Sequence, residues 1–229
     1  MTALQDVGPA IQDYLKAIYR LSQQRTPVRT GMLARTLAVR PASVTGMLKK
    51  LHARGLVRYS PRRGVELTPG GSRIAKEVLR HHRLLEAFLV QELGMTWEEA
   101  HHEAETLEHY ISERFEEKLA QKLGDPEWDP QGAPIPRPDG TVPASSWPSL
   151  LEVGPGRYAV RQVRADSPEL AQHLYSLGLV PGADLVFEEL APFDGPGRLV
   201  VGSKTLHLGR RALRALRVEQ VKDQEERQR

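Results

Sequence analysis

Apolar residues recur at three- and four-residue intervals in the first quarter of the chain, and this spacing predicts three short helices. The apolar stripes lie in residues 11–21, 32–37 and 44–51. Residues 56–67 then hold two short apolar runs around a basic Pro-Arg-Arg-Gly turn, which is typical of a β-hairpin. Helix, turn, helix and hairpin in this order predict a winged helix-turn-helix domain.

The helical pattern continues through the middle of the chain and then changes to a strand pattern. One long helix is predicted over residues 72–93, and a capping-box spacing predicts a second over residues 96–123. Pro and Gly are frequent in residues 124–150, which we interpret as an ordered arm that grades into a linker. Short strands and one helix follow from residue 152 and predict a small β-barrel. The predicted fold class is therefore mainly α with small β parts.

Charge separates the chain into a basic part and an acidic part. The net charge is only +3, but residues 1–74 carry 13 Lys and Arg against 3 Asp and Glu. Residues 75–130 carry 6 against 14 and contain five of the eight histidines. This polarity favours a polyanion as the partner of the first part and a cation as the partner of the second.

Several classes of protein are disfavoured by what the sequence lacks. There is no cysteine, which excludes disulfides, thiolate zinc sites and cysteine nucleophiles. No uncharged run is long enough to span a membrane, and the first residues lack the features of a secretory signal. We therefore expect a cytoplasmic protein with no membrane partner.

The third predicted helix has a polar side that suits DNA. Small and hydroxyl-bearing residues at a helix N-terminus allow entry into a major groove and contacts with base edges, while nearby cations meet phosphates. A solvated helix face beside a basic loop is the alternative interpretation. The predicted DNA-binding residues are Arg40, Pro41, Ala42, Ser43, Thr45, Gly46, Lys49, Lys50, Arg62 and Arg63.

The acidic part contains residues with the spacing of metal ligands. Glu105, Glu108 and His109 stand at i, i+3 and i+4, so they share one helical face, and His101 lies one turn earlier. His82 and Glu86 form a further i, i+4 pair. A single pair of this kind is also typical of an exposed acidic face, but several on two helices favour a metal. Oxygen and imidazole donors suit manganese, ferrous iron, cobalt or zinc.

Known signatures of catalysis are absent from this region and from the rest of the sequence. His102-Glu103 is not followed by a second His, because position 106 is Thr, and the same Thr106 breaks a Glu-x-x-His pattern. There is neither a nucleophile elbow nor a phosphate-binding glycine loop. We therefore predict no enzyme and no small-molecule substrate. A metal-dependent hydrolase with a basic interaction domain is the alternative of another class.

Three segments together resemble a known family. They are VRPASVTGMLKKLHARGLVRYSPRRGVELTPGG, EVLRHHRLLEAFL and HHEAETLEHYISE. Their order resembles that of the metal-dependent regulators of the diphtheria-toxin-repressor and manganese-transport-regulator family, from about residue 11 to residue 136. The remainder resembles the SH3-like (FeoA-like) C-terminal module of that family.

The resemblance implies a domain organisation and a homodimer. The implied parts are a winged helix-turn-helix DNA-binding domain (1–73), a helical metal-binding and dimerisation domain (74–140), a linker (141–151), an SH3-like β-barrel (152–222) and a charged tail (223–229).

The resemblance also implies two metal sites. The residues that match the primary site are Asp13, Glu105, Glu108 and His109. Those that match the ancillary site are His82, Glu86 and His101, with Glu169 and Gln172 from the C-terminal module. Asp166 is an alternative to the last two ligands.

The metal expected from the resemblance is manganese. Iron-type members carry Met and Cys where this chain has Asp13 and Glu105, and two carboxylates resemble the manganese type. The implied function is a Mn²⁺-activated regulator that binds a palindromic operator in double-stranded DNA and controls metal-uptake genes. The alternative within the family is an iron-responsive regulator that uses Fe²⁺. Co²⁺, Zn²⁺ or Cd²⁺ are expected to bind in vitro.

Overall fold

A computed structural model describes residues 7–221 as eight helices and seven strands. The helices are α1 Pro9–Ser22, α2 Thr30–Thr36, α3 Pro41–Ala53, α4 Pro69–Leu93, α5 Trp97–Leu107, α6 Glu113–Lys122, α7 Pro168–Ser176 and α8 Arg210–Ala215. The strands are β1 Val57–Ser60, β2 Gly64–Leu67, β3 Gly156–Val163, β4 Asp184–Leu190, β5 Gly197–Val201, β6 Lys204–Leu208 and β7 Leu216–Gln220. The predicted class, mainly α with small β parts, is confirmed. The predicted charged tail, 223–229, lies outside the described residues.

The chain forms two compact units. The first contains the described residues of Met1–Phe88 together with His102–Asp125 and Ile135–Pro143. The second contains Leu89–His101 and Pro126–Pro134, together with the described residues of Ala144–Arg229. Within the described residues, the first unit has two hydrophobic cores and the second has one. The residues of helix α5 are divided between the two units.

The N-terminal part of the first unit is a winged helix-turn-helix. The apolar stripes of α1, α2 and α3 are buried in one core, which includes Leu15, Leu33 and Leu48. Strands β1 and β2 pair antiparallel to form the wing. Val28 extends this pairing, because its backbone N–H and carbonyl both bond to Val65 at 2.9 Å. The predicted winged helix-turn-helix is therefore present, and one core holds its helices and its wing.

The second long helix of the sequence prediction is interrupted. Instead of one helix over 96–123, α5 ends at Leu107 and α6 begins at Glu113. Ser112 has an extended backbone, and its hydroxyl accepts a hydrogen bond from Phe115 N, which caps α6. The expectation of a continuous helix was wrong because Ser112 starts a new helix. Leu119 of α6 is buried in a core with Leu84 and Ala104.

The predicted capping box at the start of α5 is present. Thr96 donates from its backbone N–H and its hydroxyl to Glu99 Oε2, at 2.9 and 2.8 Å. Glu99 N donates in return to Thr96 Oγ1 at 3.3 Å. These reciprocal bonds fix the first turn of the helix.

The second unit is built on a five-stranded antiparallel sheet in the order β6-β5-β4-β3-β7. Its core includes Leu150, Phe187 and Leu213. Leu150 falls within the predicted linker, 141–151, yet it is fully buried and its N–H bonds to Leu216 O at 2.8 Å. The strands and α7 were predicted from the sequence, whereas the six-residue helix α8 was not.

None of the helices within residues 7–221 is both long enough and apolar enough to cross a membrane.

The start of α4 depends on a close approach of two backbone segments. A Cβ added at Gly71 would lie 2.0 Å from the carbonyl oxygen of Leu56, whereas one added at Gly70 would meet nothing closer than 3.9 Å. Thr68 Oγ1 also donates to Leu56 O at 3.0 Å. The first turn of α4 is therefore fixed against the residue that precedes the wing.

We expect Gly71→Ala to destabilise the protein by about 1–3 kcal/mol, because the added methyl group must displace backbone atoms. Gly70→Ala is the matched control and should be neutral or slightly stabilising, since alanine favours a helix over glycine. Thermal unfolding followed by circular dichroism measures both effects. Equal melting temperatures for the two variants would contradict the close approach at Gly71.

Candidate functional site

One face of α1 carries polar side chains toward the acidic helices of the same unit. Gln12, Asp13, Lys16 and Arg20 lie on this face, and the first and third of them are buried although they are polar. The other ligand candidates of this unit lie on α4 and at the end of α5, and they are His82, Glu86, Glu105, Glu108 and His109. The two elements that supply them are therefore brought against a helix of the DNA-binding fold.

Asp13, Glu108 and His109 form a three-residue group with the geometry of a metal site. One ligand atom from each residue lies within 4.8 Å of the other two. His109 Nε2 is 3.1 Å from Asp13 Oδ1 and 3.6 Å from Glu108 Oε1. Glu108 is fully buried and follows directly after α5, with its N–H still bonded to Ala104 O at 3.0 Å. The predicted spacing of Glu108 and His109 thus brings both to one side, where Asp13 meets them.

Gln12 fixes the orientation of the His109 ring. The side-chain amide of Gln12 donates to Val7 O at 2.9 Å, which directs its Oε1 toward His109 Nδ1 at 2.7 Å. His109 Nδ1 must then carry the hydrogen and donate it, so the lone pair of the neutral ring is on Nε2, beside Asp13 and Glu108. This is the tautomer and the outer hydrogen bond that a metal-binding imidazole requires. The donor set therefore fits a divalent cation.

A second group lies on the other side of Glu108. It consists of His82, Glu105 and Glu108, whose ligand atoms also lie within 4.8 Å of one another. His82 Nδ1 donates to Glu108 Oε2 at 2.7 Å. Lys16 Nζ donates to Glu105 Oε2 at 2.9 Å and to Glu108 Oε1 at 2.5 Å. The predicted four-residue primary set is thus divided in this structure, and the Glu105 carboxylate contacts Lys16.

The cations around Glu105 keep it ionised. Burial raises the pKa of a carboxyl group, but the ammonium of Lys16, with His82 and Arg20, lowers the pKa of Glu105 to about 2. Glu105 is therefore a carboxylate at any physiological pH. The pKa of His82 is shifted in the opposite direction. Burial lowers this pKa, but the carboxylates of Glu86 and Glu108 raise it above the ordinary value of a histidine.

A hydrogen-bonded network holds the turn after α5 in place. His81 Nδ1 bonds to the backbone carbonyl of Glu108 at 3.0 Å, and its Nε2 bonds to Glu116 Oε2 at 2.9 Å. Arg80 also pairs with Glu116 and donates to Pro136 O at 2.9 Å. Buried polar groups that are satisfied in this way give a rigid arrangement. α4 and α6 therefore position the backbone from which Glu108 and His109 project.

The residues of the predicted ancillary site are divided between the two units. His82 and Glu86 lie in the first unit, where His82 Nε2 is 3.1 Å from Glu86 Oε1. The other three predicted ligands lie in the second unit, and they are His101, Glu169 and Gln172. Asp166, the alternative ligand, forms a two-pronged ion pair with Arg211 at 2.9 and 2.6 Å.

The predicted DNA-binding residues lie at the surface of the winged helix domain. Val44, Leu48 and Leu51 bury one side of α3. The opposite side and the wing expose nine of the ten predicted residues, and Thr45 is half-buried. The exposed ones are Arg40, Pro41, Ala42, Ser43, Gly46, Lys49, Lys50, Arg62 and Arg63. Thr45 Oγ1 donates to Pro41 O at 3.1 Å, so its hydroxyl presents an acceptor and its methyl group to a partner.

Three family models match the chain in succession. Residues 6–65 match the N-terminal DNA-binding domain of iron-dependent repressors, and residues 68–137 match their metal-binding and dimerisation domain. Residues 149–220 match the FeoA domain. The iron-dependent repressor IdeR of Mycobacterium leprae (strain TN) is 31% identical over 95% of this chain and 100% of its own length. This chain belongs to the iron-dependent repressor family.

Other relatives and solved structures agree with this assignment. The HTH-type transcriptional regulator MntR of Bacillus pumilus (strain SAFR-032) is 38% identical over 45% of this chain and 72% of its own length. A solved manganese-dependent transcriptional repressor in complex with manganese is 34% identical, covers 92% of this chain and 100% of its own, and superposes with a TM-score of 0.83. The solved structure of ScaR with bound Zn²⁺ is 33% identical and covers 92% of this chain and 99% of its own, with a TM-score of 0.79.

The resemblance inferred from the sequence is thereby confirmed. The protein is a metal-dependent DNA-binding transcriptional repressor with a dimerisation domain. The family is one of repressors and not of enzymes, so the alternative of a hydrolase is not favoured. A divalent metal is supported, but the names of the relatives include iron as well as manganese.

Two residues at the site of this repressor were not predicted from the sequence. They are Gln12, which orients His109, and Lys16, which contacts two of the carboxylates. Their position in the sequence could have indicated this role. Both residues share a helical face with Asp13, and both lie outside the apolar stripe of α1.

We expect Gln12→Leu to weaken divalent-metal binding by about 10–100-fold, because His109 then lacks the acceptor that fixes its ring and tautomer. Gln12→Glu should retain most of the affinity, since a carboxylate also accepts from Nδ1. Competition with a fluorescent metal indicator measures these affinities. Gln24→Leu, an exposed site beyond α1, is the control. Unchanged binding in Gln12→Leu would show that Gln12 does not orient a ligand.

Proposed function

We propose that this repressor is activated by Mn²⁺ and controls genes for metal uptake in the cytoplasm. The primary ligands in this proposal are Asp13, Glu108 and His109, with Glu105 as the fourth. The observation that carries it is the convergence of three donor atoms within 4.8 Å, one from α1 and two from the end of α5. Each of these residues was assigned to the primary site by the family resemblance.

The choice of manganese rests on the chemistry of the donors. Carboxylate oxygens are hard ligands that suit Mn²⁺, and there is no sulfur in the set. Mn²⁺ is at the weak end of the affinity order of divalent metals, so selection must come from coordination number and geometry. An iron-responsive repressor that uses Fe²⁺ is the second candidate, and relatives named for iron favour it.

The ligands connect two functional parts of the first unit. Asp13 belongs to α1, which is packed in the core of the winged helix domain, whereas Glu108 and His109 follow α5. A bound divalent cation supplies positive charge that these carboxylates share. Asp13 and Glu108 otherwise repel each other, so the arrangement in which they approach is less populated without added positive charge. The position of α1, and with it the recognition helix, thus depends on these residues.

The proposed DNA target is a palindromic operator bound by a homodimer. Two copies of α3 would enter successive major grooves about 34 Å apart, as in other helix-turn-helix dimers. The side of α3 that faces away from the core and the wing cations Arg62 and Arg63 support this arrangement, because they are exposed in the structure. In the same proposal His82, Glu86 and His101 form an ancillary site, with Glu169 and Gln172 from the C-terminal module.

The domain boundaries remain part of the proposal. We assign DNA binding to 1–73, metal binding and dimerisation to 74–140, connection to 141–151, the FeoA-like module to 152–222 and a tail to 223–229.

A direct test measures operator affinity against buffered free metal. DNA from upstream of the protein's own gene is labelled, and fluorescence anisotropy is recorded with Mn²⁺, Fe²⁺, Co²⁺ and Zn²⁺ and with a chelator. Mn²⁺ should activate binding, and His109→Ala should abolish this activation while leaving a folded dimer. A His109→Ala variant with unchanged metal dependence would remove the primary-site assignment.

We expect Asp13→Met combined with Glu105→Cys to shift the response from Mn²⁺ toward Fe²⁺, Co²⁺ or Zn²⁺, because softer ligands replace hard carboxylates. The same anisotropy titration compares this double variant with the wild type. Activation of the double variant by Mn²⁺ as in the wild type would contradict the argument from carboxylates to manganese. Activation of the wild type by Fe²⁺ but not by Mn²⁺ would favour the iron-responsive candidate.

The surface of the winged helix allows positioning and reading of DNA to be separated. We expect Arg62→Ala and Arg63→Ala to weaken binding to operator and random DNA alike, with the salt slope falling by about one unit for each lost phosphate contact. Thr45→Ala should instead reduce preference at particular base pairs, by about 1–3 kcal/mol for a good contact. Lys118→Ala, an exposed cation on α6, is the control. Loss of random and operator binding in equal measure with Thr45→Ala would contradict base reading.

A further inference from the structure

Lys16 is a buried cation inside the acidic cluster, which consists of Asp13, Glu105 and Glu108 with His82 and His109. It is 4% exposed, and Glu108, to which its ammonium donates, is fully buried. Burying an ammonium is costly unless anionic acceptors surround it, so this position of Lys16 depends on the two carboxylates that it contacts. Arg20 is one turn further along α1 and only reaches Glu105 at 3.7 Å, with 38% of its side chain exposed. Lys16 is therefore the cation in the interior of the cluster.

The ammonium lies where the geometry would otherwise admit a metal ion. His82, Glu105 and Glu108 have ligand atoms within 4.8 Å of one another, and Lys16 Nζ contacts the last two at 2.9 and 2.5 Å. Glu108 belongs to this group and also to the group with Asp13 and His109. The cluster thus has two adjacent cation positions that share the Glu108 carboxylate.

The charges of the two groups balance with one lysine and one divalent ion when the partly exposed Arg20 and the His82–Glu86 pair are left out of the count. Asp13, Glu105 and Glu108 carry three negative charges when ionised. Lys16 and a single divalent cation supply three positive charges, whereas two divalent cations beside Lys16 would leave an excess of positive charge next to the fully buried Glu108. Lys16 is also part of α1, so it holds its position without the loss of translational freedom that a free ion suffers on binding.

We infer that Lys16 is the resident cation of the His82, Glu105 and Glu108 group and limits the shared cluster to one metal ion, bound on the Asp13 and His109 side. Lys16 is thus a residue that determines the number of ions in the cluster. This inference rests on the proposed assignment of Asp13, Glu108 and His109 as ligands, and it makes Glu105 a partner of Lys16 in place of a fourth ligand.

The test counts bound ions in the full-length protein. Mn²⁺ is titrated into wild type and Lys16→Met, and bound metal per chain is measured by equilibrium dialysis and by electron paramagnetic resonance. Lys16→Met should bind one more Mn²⁺ per chain than the wild type. Two Mn²⁺ ions that share the Glu108 carboxylate are magnetically coupled, so this variant should show a coupled signal. The wild type should show only isolated ions.

Control variants test whether the ion count depends on a cation at the position of Lys16 or on any positive charge nearby. Arg20→Met removes a neighbouring positive charge on the same helix and should leave the ion count unchanged. Lys16→Arg keeps a cation in the cluster and should also bind as the wild type does. Adding Glu105→Gln to Lys16→Met should abolish the extra ion, because the second position then loses a carboxylate.

The outcomes distinguish this inference from the proposed function. A coupled signal in the wild type would overturn the inference without the use of any variant. An unchanged ion count in folded Lys16→Met, as judged by circular dichroism, would overturn it as well. If Lys16→Met folds only in the presence of Mn²⁺, bound Mn²⁺ per chain is counted after dialysis of the Mn²⁺-loaded protein. The expected count is again one more than in the wild type. If His109→Ala binds as much Mn²⁺ per chain as the wild type, the primary-site assignment fails, and the inference fails with it.

Discussion

The buried carboxylate of Glu108 is the group on which the site of this repressor depends. It has no exposed surface, and cationic or polar groups from three elements approach it: Lys16 on α1, His82 on α4 and its neighbour His109. An ionised carboxylate is stable in such a place only if its oxygens have partners. The spacing of α1, α4 and the end of α5 is therefore coupled to the cations around one side chain. A change in those cations changes the packing of all three elements.

Helix α1 transmits that dependence because its two faces have different partners. Ile11, Leu15 and Ile18 are buried in the core that also holds the recognition helix α3. The opposite face carries Asp13 and Lys16 to the acidic residues. A helix is stiff over this length, so a force on its polar face moves its apolar face as well. The winged helix domain and the proposed ligand Asp13 thus share one rigid element, and no separate pathway between them is required.

The sequence predicted the elements whose signals are local and missed those that depend on distant contacts. The winged helix was predicted because its apolar stripes and wing turn are periodic within short windows, and the capping box at Thr96 was predicted from two residues. The break before α6 was missed because one serine, Ser112, decides it, and α8 was missed because six residues show no clear period. At the site, the spacing of Glu105, Glu108 and His109 was readable. Gln12 and Lys16 acquire their roles from partners about 90 or more residues away, which no local pattern reveals.

The division of one acidic cluster between a lysine and a free ion suits a sensor. Three closely spaced carboxylates, of which Glu108 is fully buried, would repel one another without any internal cation and destabilise the metal-free fold. Lys16 offsets part of this repulsion, so the fold can form before metal arrives, as its ion pairs with Glu105 and Glu108 indicate. The negative charge that remains is on the side of Asp13, whose Oδ1 lies 3.1 Å from His109 Nε2. Asp13, Glu108 and His109 would hold a divalent cation, whose positive charge would add stability only to the arrangement in which α1 and the end of α5 are together. A repressor of this kind responds to metal through that difference in stability and not through the total strength of binding.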